Sequence, residues 1–464
     1  MLAPLLTLAA ALQGAPSGPV GIYGGAPASA CQWPTAVAVY DGGPLCSGVL
    51  IHPLVVAYAA HCGEQFTEVQ FGEHAAKPAR TVATAGCFAH PDADGTPPND
   101  FAYCRLAAPV LDLPIAPPLV GCELEALVEG APVTLVGFGE EDGGGLGDKF
   151  FVEAPVSEIP FMGSLALIGG DGLGTCAGDS GGPGYLQLAD GSWRTVGVTF
   201  GTTLTCGAGT VMIPLAGYVG WLEEHSGLDV TPCHDAEGAW DPGPRCDHLA
   251  TDPDVGGGAW AQGCDGAGQS GPGASCGEAW SAAGDRTPPT VTITAPTDGD
   301  AFPEPMVKVA IDLVADDGDG SGVDRVDVII DGSPLGLDLA FPPYSVELTF
   351  PAGVFVIEGS ARDFAGNVGT SAPVRIAVGD VDGGTTSTTG EESSSTGATT
   401  TGDGTATGGP DESSSGGDGT ATGGPGGDQP ESGCACRSVG GGGGAVQGLG
   451  VVLLGLVARR RRGR

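Results

Sequence analysis

Basic side chains are scarce in this 464-residue chain: 17 Lys and Arg stand against 56 Asp and Glu, a formal net charge of −39 with a pI near 4.1. Phosphate backbones are bound by clustered Lys and Arg, so an acid excess of this size excludes nucleic acid as a partner. Also missing is any close Cys-x-x-Cys pair among Cys233, Cys246, Cys264 and Cys276, the spacing that offers neighbouring thiolates to zinc. No metal and no organic cofactor is assigned. The amino terminus, MLAPLLTLAAALQGA, lacks a basic residue, yet its short apolar core and small-residue end are those of a signal peptide over 1–15, with Ala11 or Ala15 as its last residue. What the chain has in excess is 85 glycines and 38 prolines. The glycines, denser toward the carboxyl half, argue for linkers between separate units rather than one uniform globule. Fourteen cysteines behind an apolar leader point to an oxidising compartment.

One stretch carries chemistry. In GTCAGDSGGP, at 174–183, Ser180 is flanked by glycines that let the backbone turn tightly, leave the hydroxyl exposed and allow nearby N–H groups to converge on a carbonyl. A serine hydroxyl is a weak nucleophile at neutral pH; it needs a base to take its proton and a carboxylate to orient that base. His61 in AYAAHC and Asp100 in NDFAYCRL stand upstream. Asp92 and Asp94 occupy a glycine-proline loop suited to turns, whereas Asp100 opens an apolar run able to form a buried strand.

IYGG at 22–25, AAHC at 59–62, Asp100 before a strand and GDSGGP at 178–183 occur in one order, and over 22–228 the chain resembles the trypsin/chymotrypsin-like serine proteases. The resemblance implies an all-β fold of two six-stranded antiparallel barrels with His61, Asp100 and Ser180 between them, and an oxyanion hole from the amides of Gly178 and Ser180. It implies disulfides Cys46–Cys62 and Cys176–Cys206. It also implies activation by cutting after a short propeptide, 16–21, so that the freed ammonium of Ile22 pairs with Asp179. Gly21 precedes that cut where a basic residue is usual, and Tyr23 replaces a small aliphatic residue; activation by a trypsin-like enzyme is not expected. Gly174 falls at the base of the primary pocket, with Thr199, Phe200 and Gly201 on the strand that would wall it and pair with substrate. Phe200 replaces a tryptophan, and Gly174 stands where a countercharge for Arg or Lys would be, so an apolar or small residue is expected before the scissile bond. The nearby Asp171 would change that preference if its loop reached the pocket.

Apolar alternation places strands at AVAVY, LCSGVLI, LVVAYAAHC, TEVQFG, ATAGCFAHP and DFAYCRL, then at VTLVGFG, FFVEAPV, SLALIGG, GYLQLA, WRTVGVTFG and GTVMIPL. YVGWLEEHSG reads as a closing helix with Tyr218, Trp221 and Leu222 on one face, Glu223 and Glu224 toward water and Gly227 ending it. Cys87 and Cys104 are expected to pair across neighbouring strands, leaving Cys31 with Cys122 by elimination.

Beyond the barrels, 229–286 reads as a Cys/Gly-rich linker stapled by its own four cysteines, for which three connectivities are open. Short alternating strands over 287–378 form a β-sandwich pattern that resembles bacterial immunoglobulin-like domains, chiefly in DDGDGSGV and ARDFAGNVG. Asp316, Asp317 and Asp319 there read as solvated turn acids as readily as Ca²⁺ ligands. The segment 379–432 has almost nothing to bury and reads as an extended Thr/Ser/Gly-rich tether. Over 433–464 come Cys434 and Cys436, an apolar stretch and an arginine cluster, which resemble the C-terminal sorting tags of the MYXO-CTERM type. The two cysteines are the candidates for processing or lipid attachment, and a plain transmembrane anchor is the other reading of the apolar stretch. The expectation is an exported or cell-surface serine endopeptidase acting on proteins or peptides and carried on an immunoglobulin-like stalk. Its rivals are an esterase with the same three residues and a surface-binding protein that keeps the fold without the catalysis.

Overall fold

The computed structural model describes residues 22–140, 145–160, 163–247, 252–254, 256–262, 264, 276–278 and 280–379. They belong to the first of two units, Met1–Ala406, of which Thr407–Arg464 is the second. The leader, the propeptide, nearly all of the tether, and the tag with Cys434 and Cys436 lie outside the described residues.

A two-residue strand β1 (Ala26–Pro27) precedes the first barrel. That barrel comprises β2 (Ala36–Val39), β3 (Cys46–His52), β4 (Val55–Ala59), β5 (Glu68–Phe71), β6 (Arg80–Ala89) and β7 (Phe101–Leu106). They close in the order β2-β3-β4-β7-β6-β5. The first three strands are buried on both faces, which is why AVAV and CSGVLI read as near-continuous apolar runs: one face fills the barrel and the other meets the rest of the domain. The second barrel takes β8 (Pro132–Gly137), β9 (Phe150–Glu158), β10 (Ala166–Ile168), β11 (Pro183–Gln187), β12 (Trp193–Thr202) and β13 (Thr210–Pro214). Its path β9-β10-β13-β12-β11-β8 is closed by β8 on β9, and β1 joins β9 at its edge.

Helix α1 (Val219–Ser226) ends at Gly227, whose φ of 68° is the left-handed cap. Glu224 faces water, but Glu223 does not: its carboxylate accepts from the Val230 amide at 3.0 Å and the Thr231 hydroxyl at 2.9 Å, fixing the chain that leaves the helix. Trp33 joins the barrels by stacking on Tyr185 at 5.0 Å and meeting Trp193 edge-on at 5.3 Å. The buried carboxylate of Glu123, in a short 3₁₀ turn before β8, takes two bonds of 2.7 and 2.6 Å from the buried Arg194 of β12.

The segment after α1 is not a linker stapled to itself. Cys233 does pair with Cys246, but Cys264 reaches back to Cys31 and Cys276 to Cys122, which corrects the expected Cys31–Cys122 bond. Elimination counted only cysteines of the barrels, whereas the later segment folds back over them. Along its course Pro253 accepts from the Trp33 amide at 2.8 Å, and the Trp260 indole donates to both carboxylate oxygens of Glu73 at 2.9 and 3.1 Å.

The sandwich follows. One sheet holds β14 (Thr290–Ala295), β16 (Met306–Asp316) and β19 (Tyr344–Pro351). The other holds β15 (Ala301–Phe302), β17 (Val323–Ile330), β18 (Ser333–Pro334), β20 (Gly353–Asp363), β21 (Val368–Thr370) and β22 (Val374–Val378). Ile311, Val326, Val328, Ile357, Ala361 and Ile376 fill the space between them. Among the described residues no helix is long and apolar enough to cross a membrane.

Glu123→Ala leaves Arg194 buried without a countercharge and should lower unfolding stability by about 3–5 kcal/mol. A shift of the urea midpoint at unchanged slope is the measurement; a loss below about 1 kcal/mol would mean water reaches the guanidinium.

Candidate active site

His61 follows the end of a strand, whereas Asp100 and Ser180 precede the start of one. Asp100 sits just before β7, wholly buried, and its main chain is tied on both sides: its amide donates to the Pro98 carbonyl at 2.9 Å and its carbonyl accepts from the Ala60 amide at 3.2 Å. His61 lies in the 3₁₀ turn (Ala60–Cys62) that ends β4. Its Nδ1 is 2.5 Å from Asp100 Oδ2, and its backbone amide donates to Oδ1 at 2.7 Å. One carboxylate therefore fixes both the ring and the main chain of the histidine. Asp92 and Asp94 are exposed, and Asp94 closes a turn through the Thr96 amide and hydroxyl.

The GDSGGP loop is held by both barrels. The Ser47 amide of β3 donates to the Ser180 carbonyl at 2.8 Å, and the Gly181 amide donates to Thr199 of β12 at 2.7 Å. Ser47 Oγ adds a bond to the Gly178 carbonyl at 3.0 Å while accepting from the Phe138 amide at 3.0 Å. Nothing in the sequence singled out Ser47. Among the described residues the amides of Gly178 and Ser180 donate to no protein group, leaving two N–H groups on adjoining turns beside the serine.

The hydroxyl of Ser180 bonds to the Phe200 carbonyl at 3.4 Å, and among the described residues no hydrogen bond joins it to His61. The Phe200 ring meets the imidazole edge-on at 5.7 Å. Phe200 thus borders the histidine as well as the strand. The Thr199 amide donates to the Gly182 carbonyl at 2.8 Å, and its carbonyl accepts from the Gly181 amide at 2.7 Å. Gly201 is opposite Val211 in the sheet.

Ile22 is wholly buried among second-barrel residues, and Tyr23 bridges to Gly174, whose amide donates to the Tyr23 carbonyl at 3.2 Å. Gly174 is buried with its α-carbon facing the Gly209 backbone; a Cβ there would lie 3.1 Å from the Gly209 nitrogen. Asp171 is exposed in the preceding turn. Asp179 is wholly buried, accepting from the Gly139 amide at 2.7 Å and the Cys176 amide at 2.8 Å. Burial pushes its carboxyl up to about 7, against which these two amide bonds pull down. Gly139 has no room for a side chain, since a Cβ would fall 2.6 Å from the carboxyl carbon of Asp179; the glycines of VGFGE were the available signal for this approach. The bonds Cys46–Cys62 and Cys176–Cys206 brace the His61 turn and the loop before Ser180, and Cys87 joins Cys104 across β6 and β7.

Two closed six-stranded barrels, with a histidine on a buried aspartate and a serine in a glycine loop, are followed by a two-sheet sandwich, and each of these parts matches a known family. Residues 22–222 match the Trypsin family, and residues 289–407 match the family described as Bacterial Ig domain. The chain is similar to Brachyurin of Leptuca pugilator, with 29% identity over 231 residues that make up 45% of this chain and 99% of that protein.

A carboxyl raised in the folded state and ordinary in the unfolded one binds its proton more tightly when folded. Stability is then full below about 4 and falls as pH rises through about 7. The chain should lose roughly a few kcal/mol across that window relative to Asp179→Asn, read as diverging midpoints in urea melts at successive pH values. Parallel curves would show that Asp179 is already compensated.

Proposed function

We propose that this chain is an exported serine endopeptidase, acting at the cell surface on proteins or peptides. The observation that carries the reading is the wholly buried Asp100, bonded to both the ring and the amide of His61. A buried carboxylate in that position selects the tautomer with its proton on Nδ1, leaves Nε2 free to accept a proton, and stabilises the imidazolium that results. Turning the Ser180 hydroxyl away from the Phe200 carbonyl toward Nε2 requires rotation about one side-chain bond; such bonds are commonly loose without substrate. Ser180 then attacks the carbonyl, His61 takes the serine proton and returns it to the leaving amine, and water hydrolyses the acyl-enzyme by the same exchange. The free amides of Gly178 and Ser180 receive the oxyanion; one such donor is worth about 2.7–4 kcal/mol in the transition state.

Activation rests on Ile22 and Asp179. A cut before Ile22 creates an ammonium in a segment already threaded into the second barrel, and pairing with Asp179 relieves the burial of that carboxyl. The pocket reading rests on Gly174, Gly201 and the bordering Phe200, with no carboxylate assigned to hold Arg or Lys. The preference is for an apolar or small residue before the scissile bond. Export rests on the apolar leader and six disulfides, and surface retention on the terminal tag with Cys434 and Cys436.

The direction of the Ser180 hydroxyl toward Phe200 favours one rival, a surface-binding protein with a silent site. A fluorophosphonate separates the two. Intact mass should show one adduct on a chain beginning at Ile22 and none on Ser180→Ala; a chain cut at Ile22 that takes no adduct overturns the catalytic reading. Asp100→Asn should lower kcat on a peptide substrate by about 10⁴ with KM little changed, since the histidine then rests in the wrong tautomer. An equal loss in KM alone would make Asp100 a structural residue.

A further inference from the structure

At one end of the sandwich three acidic side chains from separate parts of the chain converge. Asp285 comes from the segment that leads into β14, Asp317 follows β16, and Asp363 ends β20. One carboxylate oxygen from each lies within 4.8 Å of those of the other two. Oxygens that share a Ca²⁺ ion at 2.3–2.6 Å are separated by no more than about 5 Å, so the spacing is that of a common ligand shell.

Their remaining bonds are almost all to amides. Asp285 accepts from the Thr287 amide at 2.9 Å and the Ser321 amide at 2.8 Å. Asp363 accepts from the Asn367 amide at 2.7 Å and its side-chain nitrogen at 2.8 Å. Asp317 accepts from the Gly322 amide at 2.8 Å through Oδ2. Among the described residues its Oδ1 is buried and has no hydrogen-bond partner, in a residue only 8% exposed. A buried carboxylate oxygen without a donor costs free energy unless something positive meets it. Among the described residues no Lys or Arg forms an ion pair with any of the three. Burial, and then the charges of Asp285, Asp363 and Asp316, push the Asp317 carboxyl above the usual range.

We propose that Asp285, Asp317 and Asp363 bind a Ca²⁺ ion that fastens the incoming segment to the sandwich. An all-oxygen set of carboxylates selects a hard cation over zinc. Three carboxylates from separate parts of the chain, with the rest of a six- to eight-oxygen shell left to other oxygens and water, suit Ca²⁺ better than Mg²⁺, which demands a tighter octahedron. The ion neutralises the repulsion among the three acids, engages the orphaned oxygen of Asp317 and ties Asp285 to strands more than thirty residues further on. Its effect is to stiffen the point at which the protease-bearing part of the chain enters the immunoglobulin-like domain.

The test is calorimetry on the full chain stripped of divalent cations by a chelator. Addition of CaCl₂ from about 10 µM to about 10 mM should give a saturable heat and raise the unfolding temperature of the sandwich, with MgCl₂ markedly weaker. Terbium offers a direct readout, because the Trp280 ring lies 6.1 Å from that of Phe364, the neighbour of Asp363. Asp317→Asn should weaken Ca²⁺ binding at least tenfold and, without Ca²⁺, unfold no lower than the parent, since it removes one of three like charges. Should that variant fail to fold, Asp285→Asn is measured in its place with the same expected loss. No heat and no shift in the parent overturns the site; so does an unchanged Ca²⁺ response in the variant measured.

Discussion

Everything at the active site depends on a pair of main-chain hydrogen bonds, Ser47 to the Ser180 carbonyl and Gly181 to the Thr199 carbonyl, which suspend one loop between two barrels. Each barrel closes on itself and has no reason of its own to adopt a fixed position beside the other. A loop that must accept from one barrel and donate to the other fixes that position, and Trp33 packs on Tyr185 and Trp193. Because the bonds are between backbone groups, they hold the serine without specifying a side chain, and the glycines on either side are what let the strands approach. Ser180 from one barrel and His61 from the other are kept in reach by this grip.

A second theme is the burial of charge in a chain with few cations. Asp100, Asp179, Glu123, Arg194 and Lys149 are all buried, and each is handled differently. Glu123 and Arg194 neutralise one another. Asp100 is bonded to His61. Lys149 donates to the Trp33 carbonyl at 3.1 Å and sits 5.5 Å from the Phe138 ring and 5.7 Å from the Trp260 ring; burial lowers its ammonium to about 8. Asp179 is held by the amides of Gly139 and Cys176, and burial raises its carboxyl.

The segment beyond α1 changes how the domains are understood. With Cys264 on Cys31 and Cys276 on Cys122, and with Trp260 on Glu73, it is strapped along the barrels instead of hanging between two domains. Arg245 in this strap lies 4.0 Å from the Phe341 ring and donates to the Ala340 carbonyl at 2.9 Å, while Arg105 of β7 donates to the Pro342 carbonyl at 2.6 Å. The sandwich is thus met by both the strap and the first barrel, and the acids at its end receive Asp285 from the strap's last residues.

What was legible in the sequence was local. Apolar runs marked the strands of both barrels and the sandwich: two-residue alternation where one face is buried, as in β16, and near-continuous runs such as CSGVLI where both faces are. Gly227 gave the end of α1 because only glycine takes the left-handed cap without strain. His61, Asp100 and Ser180 stood out because each lies in a short motif whose residue types the chemistry requires. The tertiary structure alone decided which strand supplied Ser47 to the loop, that Thr199 spends its backbone on Gly181 and Gly182, and where Cys31 and Cys122 found their partners. Those are contacts between residues far apart in the chain, and no local period or spacing records them. Composition determined that the chain is acidic and divided; packing determined that Glu123 would meet Arg194 and that three separate aspartates would share one end of the sandwich.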